Sequence, residues 1–336
     1  EVISVKLSTS GKTHVIINGA TGSGKTAFLH TLILSAAHNY SPDELEIQLF
    51  DFKDGVGFSM YERKRLPHVR FIALKNDVSE VQDVLKYIET LMTERNNLIT
   101  SIGNVSTFDG YNDKVSSGAY PGKKKLPRML IIIDEYQVLL GNDNDKDKCI
   151  DRLDNIVRKG RSAGMSLIMV SQDVPTMSAF TAIKQQSDHR IAFRSTPDNV
   201  GRLITGAEKN ADELDAQKGL CFYEINGTPW RMMRTAFAGD DEKLAENIDK
   251  VVAQYKYAKS SLRIVGNPEA LLVRNINDIP RVDERFIRKT YEEKGEINLY
   301  LGKYNLSETA VSYSINEDNT MLAIVGDYVK SKQIVT

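Results

Sequence analysis

Apolar residues recur in short β-rich runs separated by longer amphipathic stretches. This alternation predicts an α/β fold built on a parallel sheet. His14-Val15-Ile16-Ile17-Asn18 reads as a buried strand, and residues 27–39 as the helix that follows it. Further strands are expected at residues 45–50, 69–74, 129–133, 167–170 and 191–193, the most apolar of them beginning at Met129. Val81, Val84, Leu85, Ile88, Leu91 and Met92 keep helical spacing after Ser79. Residues 146–162 and 243–257 give two more helices, and residues 220–223 and 231–233 a hairpin turned at Asn226-Gly227. Between Gly103 and Pro127, clustered Gly, Ser, Asn and Lys predict a loop with at most one short helix.

The pattern changes after Lys259. Residues 259–295 are charged, carry Pro268 and Pro280, and read as a linker with a short helix. Residues 297–301 and 321–325 then read as new strands. The expected organisation is one complete domain at 1–258, a linker at 259–295, and the first strands of a following α/β domain at 296–336.

Composition narrows the classes. Forty-one per cent hydrophobic residues in a chain of 336 allow a sizeable core. A formal net charge of −1 excludes a tail-like basic nucleic-acid binder but not a locally basic groove. Cys149 and Cys221 stand far apart and outside any paired motif, as expected of buried reduced thiols. No apolar run reaches the roughly 20 residues of a membrane helix, and Glu1 is not a natural start. The expectation is a fragment of a larger, cytoplasmic-facing protein.

The chemistry is concentrated in a few places. Gly19-Ala20-Thr21-Gly22-Ser23-Gly24-Lys25-Thr26 fits G-x-x-x-x-G-K-[ST] between a strand and a helix. Glycines let backbone N–H groups wrap a phosphate, and the helix N-terminus adds partial positive charge. Lys25 is placed to reach the β- and γ-phosphates, and the Thr26 hydroxyl to ligate Mg²⁺. The strand from Met129 ends in Asp134-Glu135. Asp134 suits a Mg²⁺ ion through its water shell, and Glu135 the deprotonation of an attacking water. Ser171-Gln172 ends the next strand, where Gln172 can touch both phosphate and water. Arg158, Lys159 and Arg161 end the preceding helix, where cations complement the macrodipole. Lys123-Lys124-Lys125 with Arg128, and Arg63-Lys64-Arg65, are basic runs that read first as solvated surface and second as phosphate-backbone contacts.

Taken in order, these motifs resemble the FtsK/SpoIIIE motor family of P-loop ATPases over roughly residues 5–240. The resemblance is carried by HVIINGATGSGKT from His14, FDFKDGVGFSMY from Phe50, Leu66-Pro67-His68-Val69, Gly110-Tyr111-Asn112, IIIDEYQVLL from Ile131, GRSAGMSLIMVSQ from Gly160 and HRIAFR from His189. It implies a RecA-like core in a hexameric ring, with ATP and Mg²⁺ bound between subunits. Lys25, Thr26, Asp134, Glu135 and Gln172 would act in cis, and Arg161 as a finger in trans. Members pump double-stranded DNA, and a sister group, the type VII secretion motors, moves proteins. Lys184 matches a candidate polymer contact. Asp173 and Thr196-Pro197-Asp198 depart from residues expected in the DNA pumps, which keeps the protein-export alternative open. The run Gly326 to Gln333 lies where a second, degenerate phosphate loop would begin, with Ser331 and Gln333 in place of the middle glycine and the Mg²⁺ hydroxyl. The tandem arrangement this suggests is closer to the secretion motors.

Overall fold

The computed structural model describes residues 13–53, 57–73, 78–140, 146–172, 183–195, 217–225, 227–258, 262–265, 297–303 and 310–315, with a few isolated positions from 205 to 215. The chain divides into two compact units, Glu1–Ile264 and Val265–Thr336.

The first unit carries β1 (His14–Asn18), α1 (Lys25–Asn39), β2 (Leu45–Asp51), α2 (Ser59–Lys64), β3 (Val69–Ala73), α3 (Val78–Thr100) and α4 (Phe108–Ser116). It continues with β4 (Arg128–Asp134), α5 (Lys146–Lys159), β5 (Met165–Ser171), β6 (Ser187–Phe193), β7 (Leu220–Ile225), β8 (Arg231–Arg234) and α6 (Asp241–Gln254). Short 3₁₀ turns follow β4 (Tyr136–Leu140) and α5 (Gly160–Ala163).

Among the described residues the strands lie in the order β8-β7-β6-β1-β5-β4-β2-β3, with a three-residue strand β9 (Arg263–Val265) beside β3. Strands β1 to β6 pair in parallel, and β7 and β8 close the other edge antiparallel. Central strands β1, β4 and β5 are buried almost throughout, as a parallel sheet covered on both faces requires. Parallel pairing aligns Asn18 with Ser171 and Asp51 with Asp134, so the strands end together at one carboxyl edge. That alignment is what gathers the site.

The core runs from β1, β2 and β4 to α1 and α6, with Leu29, Ile33, Ile47, Leu130, Ile132, Ile168 and Ile248 buried within it. A smaller cluster of Ile99, Ile102, Phe108 and Tyr111 seats α4. Arg95 of α3 ties this region to the sheet. Its guanidinium donates to the Ala163 carbonyl at 2.8 Å, to the Pro127 carbonyl at 2.5 Å and to Glu46 at 3.1 Å. Both cysteines are buried thiols rather than halves of a disulfide.

The expected strands that fall on described residues form, with boundaries moved by a few residues. Two elements depart from expectation. Helix α2 lies in the stretch between β2 and β3, and the helix expected to run to residue 162 ends at Lys159 before tightening into the 3₁₀ turn. There, Gly164 (φ 73°) caps the turn. Of the second unit, the described residues form an antiparallel pair, β10 (Ile297–Lys303) with β11 (Ala310–Ile315). The expected strand at 321–325, the possible second phosphate loop, Asp173 and Thr196-Pro197-Asp198 lie outside the described residues. Among the described residues, no helix is long and apolar enough to cross a membrane.

Candidate nucleotide site

Residues Gly19 to Gly24 form the loop between β1 and α1, held from three sides. The Gly19 N–H donates to the Ser171 carbonyl at the end of β5, and the Ala20 N–H to the Arg194 carbonyl just past β6. The Ser23 carbonyl accepts from the Gly219 N–H at 2.9 Å. Gly24 sits at φ 111°, and a Cβ there would lie 2.8 Å from the Gly219 nitrogen, so both the conformation and the close approach need glycine.

Lys25 opens α1 and is buried; its ammonium donates to the carbonyls of Gly19 and, at 3.0 Å, Ala20. Thr26 follows on the exposed side, and Thr21 donates its hydroxyl to the Gln172 side-chain carbonyl. The Ser23 hydroxyl oxygen is buried without a hydrogen-bond partner.

Across from the loop, Asp134 ends β4 and Glu135 follows it in the left-handed region at φ 58°. For a residue with a Cβ that backbone costs about 1–3 kcal/mol and persists only where the surroundings impose it. Here the Glu135 N–H turns back to Asp134 Oδ1 at 3.1 Å. The Glu135 carboxylate accepts from the side-chain amide of Gln172 and from Gln137 Nε2 at 2.6 Å. Burial pushes the Asp134 carboxyl up to about 7, the neighbouring charges of Glu135 and Asp51 adding to the effect and Lys25 opposing it.

The structure thus brings Gly19, Ala20, Thr21, Gly22, Ser23, Gly24, Lys25, Thr26, Asp134, Glu135 and Gln172 together at the carboxyl edge of the sheet. Arg161 is not among them. It lies in the turn that precedes β5, at the amino edge, beside the first residue of β1: its charge helps depress His14. Lys184 also lies at the amino edge, just before β6, where its carbonyl accepts from Arg190 and burial lowers its pKa.

Two residues, Asp51 and Gln137, escaped the sequence reading. Asp51 ends β2 in register with Asp134 and accepts from the Gly57 N–H at 3.0 Å. The signal that marked Asp134, a carboxylate closing an apolar strand, was present for Asp51 as well. Gln137 carried no signal, because the turn that folds it back toward β5 leaves no periodic trace; Ser171, noted at the strand end, was given no partner.

The arrangement suits a nucleoside triphosphate with Mg²⁺. A glycine-lined turn, a buried ammonium and an unpartnered buried hydroxyl face where phosphate oxygens would lie. Mg²⁺ is usually held by one or two carboxylates together with phosphates rather than by an all-protein cage. Among the described residues, no cluster of three or more His, Cys, Asp or Glu is arranged to hold a metal unaided.

Comparison with known proteins agrees with the geometry. The sequence profile of the FtsK/SpoIIIE family matches residues 1–175. The chain belongs to the FtsK/SpoIIIE family. Its relatives there include the DNA translocase FtsK of Clostridium tetani, 30% identical over 72% of this chain and 31% of that protein. Another is the ESX-1 secretion system protein EccCa1 of Mycobacterium tuberculosis, 27% identical over 63% of this chain and 29% of that protein. Among solved structures, the cytoplasmic domain of the Thermomonospora curvata type VII secretion ATPase EccC superposes with a TM-score of 0.60. It is 26% identical and matches 72% of this chain and 27% of that one. The chain spans about a third of the length of the curated relatives it matches. FtsK/SpoIIIE proteins are P-loop ATPases, so the loop, Lys25 and the acidic strand end belong to a nucleotide-binding fold.

Proposed function

We propose that this chain is the ATP-hydrolysing domain of a ring motor, six copies around a channel, that drives double-stranded DNA through it on the cytoplasmic side of a membrane-anchored protein. The observation that carries the reading is the division of the chemistry between the two edges of one sheet. Five of the six chemical groups converge at the carboxyl edge. Arg161 lies at the other end of strands that rise about 3.3 Å per residue, which over the five residues of β1 puts it beyond reach of its own loop. A head-to-tail neighbour would receive it, as ring assembly requires.

In this reading Lys25 and the loop N–H groups bind the phosphates, while Thr26 and Asp134 hold Mg²⁺. When bound, the metal supplies the positive charge that screens the phosphate oxygens. Glu135 takes the proton from the attacking water, and Gln172 orients that water while its other end touches Thr21 of the phosphate loop. Arg161 of the adjacent subunit stabilises the charge that develops on transfer. Lys184, repeated around the ring, is the candidate polymer contact.

The relatives named DNA translocase FtsK support DNA as the cargo. Protein export of the type VII kind is a second reading, favoured by the likeness to EccC in both sequence and fold. Hydrolysis measured with and without duplex DNA separates the two. Several-fold stimulation by any duplex, lost as salt rises, is expected for the DNA motor. Indifference to DNA with stimulation by an exported peptide would replace it with the second reading.

A further inference from the structure

Glu135 is gripped by two glutamines that are not equivalent. Gln172 joins it to the phosphate loop: its amide N–H₂ donates to Glu135 Oε1, its side-chain carbonyl accepts from Thr21, and its backbone N–H reaches Glu135 Oε2 at 3.3 Å. Gln137 joins it to the sheet. Its Nε2 donates to Glu135 Oε2 at 2.6 Å, and its Oε1 accepts from the Ser171 hydroxyl, also at 2.6 Å. Ser171 is buried at the last position of β5, and its carbonyl accepts the Gly19 N–H. The Glu135 carboxylate decides which way the Gln137 amide points: a carboxylate only accepts, so the N–H₂ must face it, and the amide oxygen is left to the Ser171 hydroxyl, which donates to it.

We propose that Gln137 is a positioning residue for Glu135, the fixed half of a two-handed grip whose movable half is Gln172. The inference rests on Glu135 being the group that activates water. A sensor glutamine that turns toward a phosphate and a water must loosen its hold on Glu135. The Gln172 backbone N–H stays behind only at 3.3 Å, so without the 2.6 Å bond from Gln137 a carboxylate on a left-handed backbone would keep one long contact and could swing with the side chain. Gln137 keeps Oε2 in place on the sheet, and Oε1 is left to face the water. Because loss of reacting geometry by about 1 Å can cost on the order of a hundredfold in rate, a hydrogen bond that touches no substrate can still set turnover.

The test is the Gln137→Leu variant. We expect kcat to fall about 10–100-fold, while the dissociation constant for a fluorescent ATP analogue stays within about threefold and the melting temperature is kept. Gln137→Met, which preserves length and the unbranched stem, should give the same drop. Ser171→Ala should give a smaller one, and Ser171→Thr, which restores the hydroxyl, should recover most of it. Combining Ser171→Ala with Gln137→Leu should add little beyond Gln137→Leu alone, since both act through one chain. Unchanged kcat in Gln137→Leu, additive losses in the double variant, or ATP binding weakened in proportion to kcat would each overturn the proposal. Glu135→Gln keeps the two readings apart. If it hydrolyses ATP normally, the role of Glu135 fails; if it is inactive while Gln137→Leu turns over normally, only the present inference fails.

Discussion

His14 is an imidazole at the start of β1, buried with both ring nitrogens engaged: Nε2 donates to the Val157 carbonyl at 2.7 Å and Nδ1 accepts from the Leu167 N–H at 3.1 Å. Burial holds its pKa at about 4, with the Val157 bond opposing and Arg161 assisting. His30 is held at about 4 as well, by burial, against the pull of Asp241. An unfolded imidazole titrates near 6.5. Between those values the unfolded chain binds more protons than the native one, so the stability these residues contribute is complete above about pH 6.5. It is lost as pH falls toward 4. Asp134 runs the opposite way. Its native pKa of about 7 exceeds the ordinary carboxylate value, so the native state is penalised as pH rises from about 4, fully so above 7. Urea unfolding across pH separates the two. His30→Phe should flatten the acid side of the stability profile. Asp134→Asn should stabilise the nucleotide-free protein at pH 8, by up to about 4 kcal/mol at about 1.4 kcal/mol per pKa unit, and leave it unchanged near pH 4. Equal effects of Asp134→Asn at both pH values would refute the burial argument. For the nucleotide, Lys25→Ala is expected to abolish binding in an equilibrium titration. Glu135→Gln should bind ATP and retain it unhydrolysed, read as the ATP-to-ADP ratio of nucleotide that stays bound.

Among the elements, the 3₁₀ turn at Gly160–Ala163 leans on its neighbours from two sides. Arg95 Nε donates to the Ala163 carbonyl at 2.8 Å, and the ring of Phe108 lies where a Cβ on Gly164 would fall. Gly164→Ala therefore combines a left-handed backbone with an overpacked contact, each on the order of 1–3 kcal/mol. Its urea midpoint should fall by the equivalent of about 2–4 kcal/mol, where the same change at Gly118, with open space around it, should cost about half or less. This turn also marks what a sequence can and cannot display. The buried strands were legible because β1, β4 and β5 are near-continuous apolar runs bounded by turn residues. The amphipathic α3 and α5 were legible from their spacing. Short α2 was not, since its six residues hold one fully buried side chain, Tyr61, and show no repeat. At the site, Lys25, Asp134 and Gln172 were readable because each stands at a strand or helix end with a fixed motif. Gln137 was not, because its role depends on a fold-back that brings position 137 to position 171.

For the whole molecule, the two-edged sheet makes mixing experiments decisive. Neither Arg161→Ala nor Lys25→Ala subunits should hydrolyse ATP alone, whereas a mixture should recover part of the activity, because some junctions then pair an intact loop with an intact arginine. No recovery in mixtures shown to co-assemble would count against a finger in trans. The same separation of edges has an arithmetic consequence. If every site is completed by a neighbour, an isolated subunit has no complete site, an open row of n subunits has n − 1, and only a closed ring has n. Turnover per subunit should then climb with protein concentration and level off once rings close, so assembly itself would act as the switch that licenses ATP consumption.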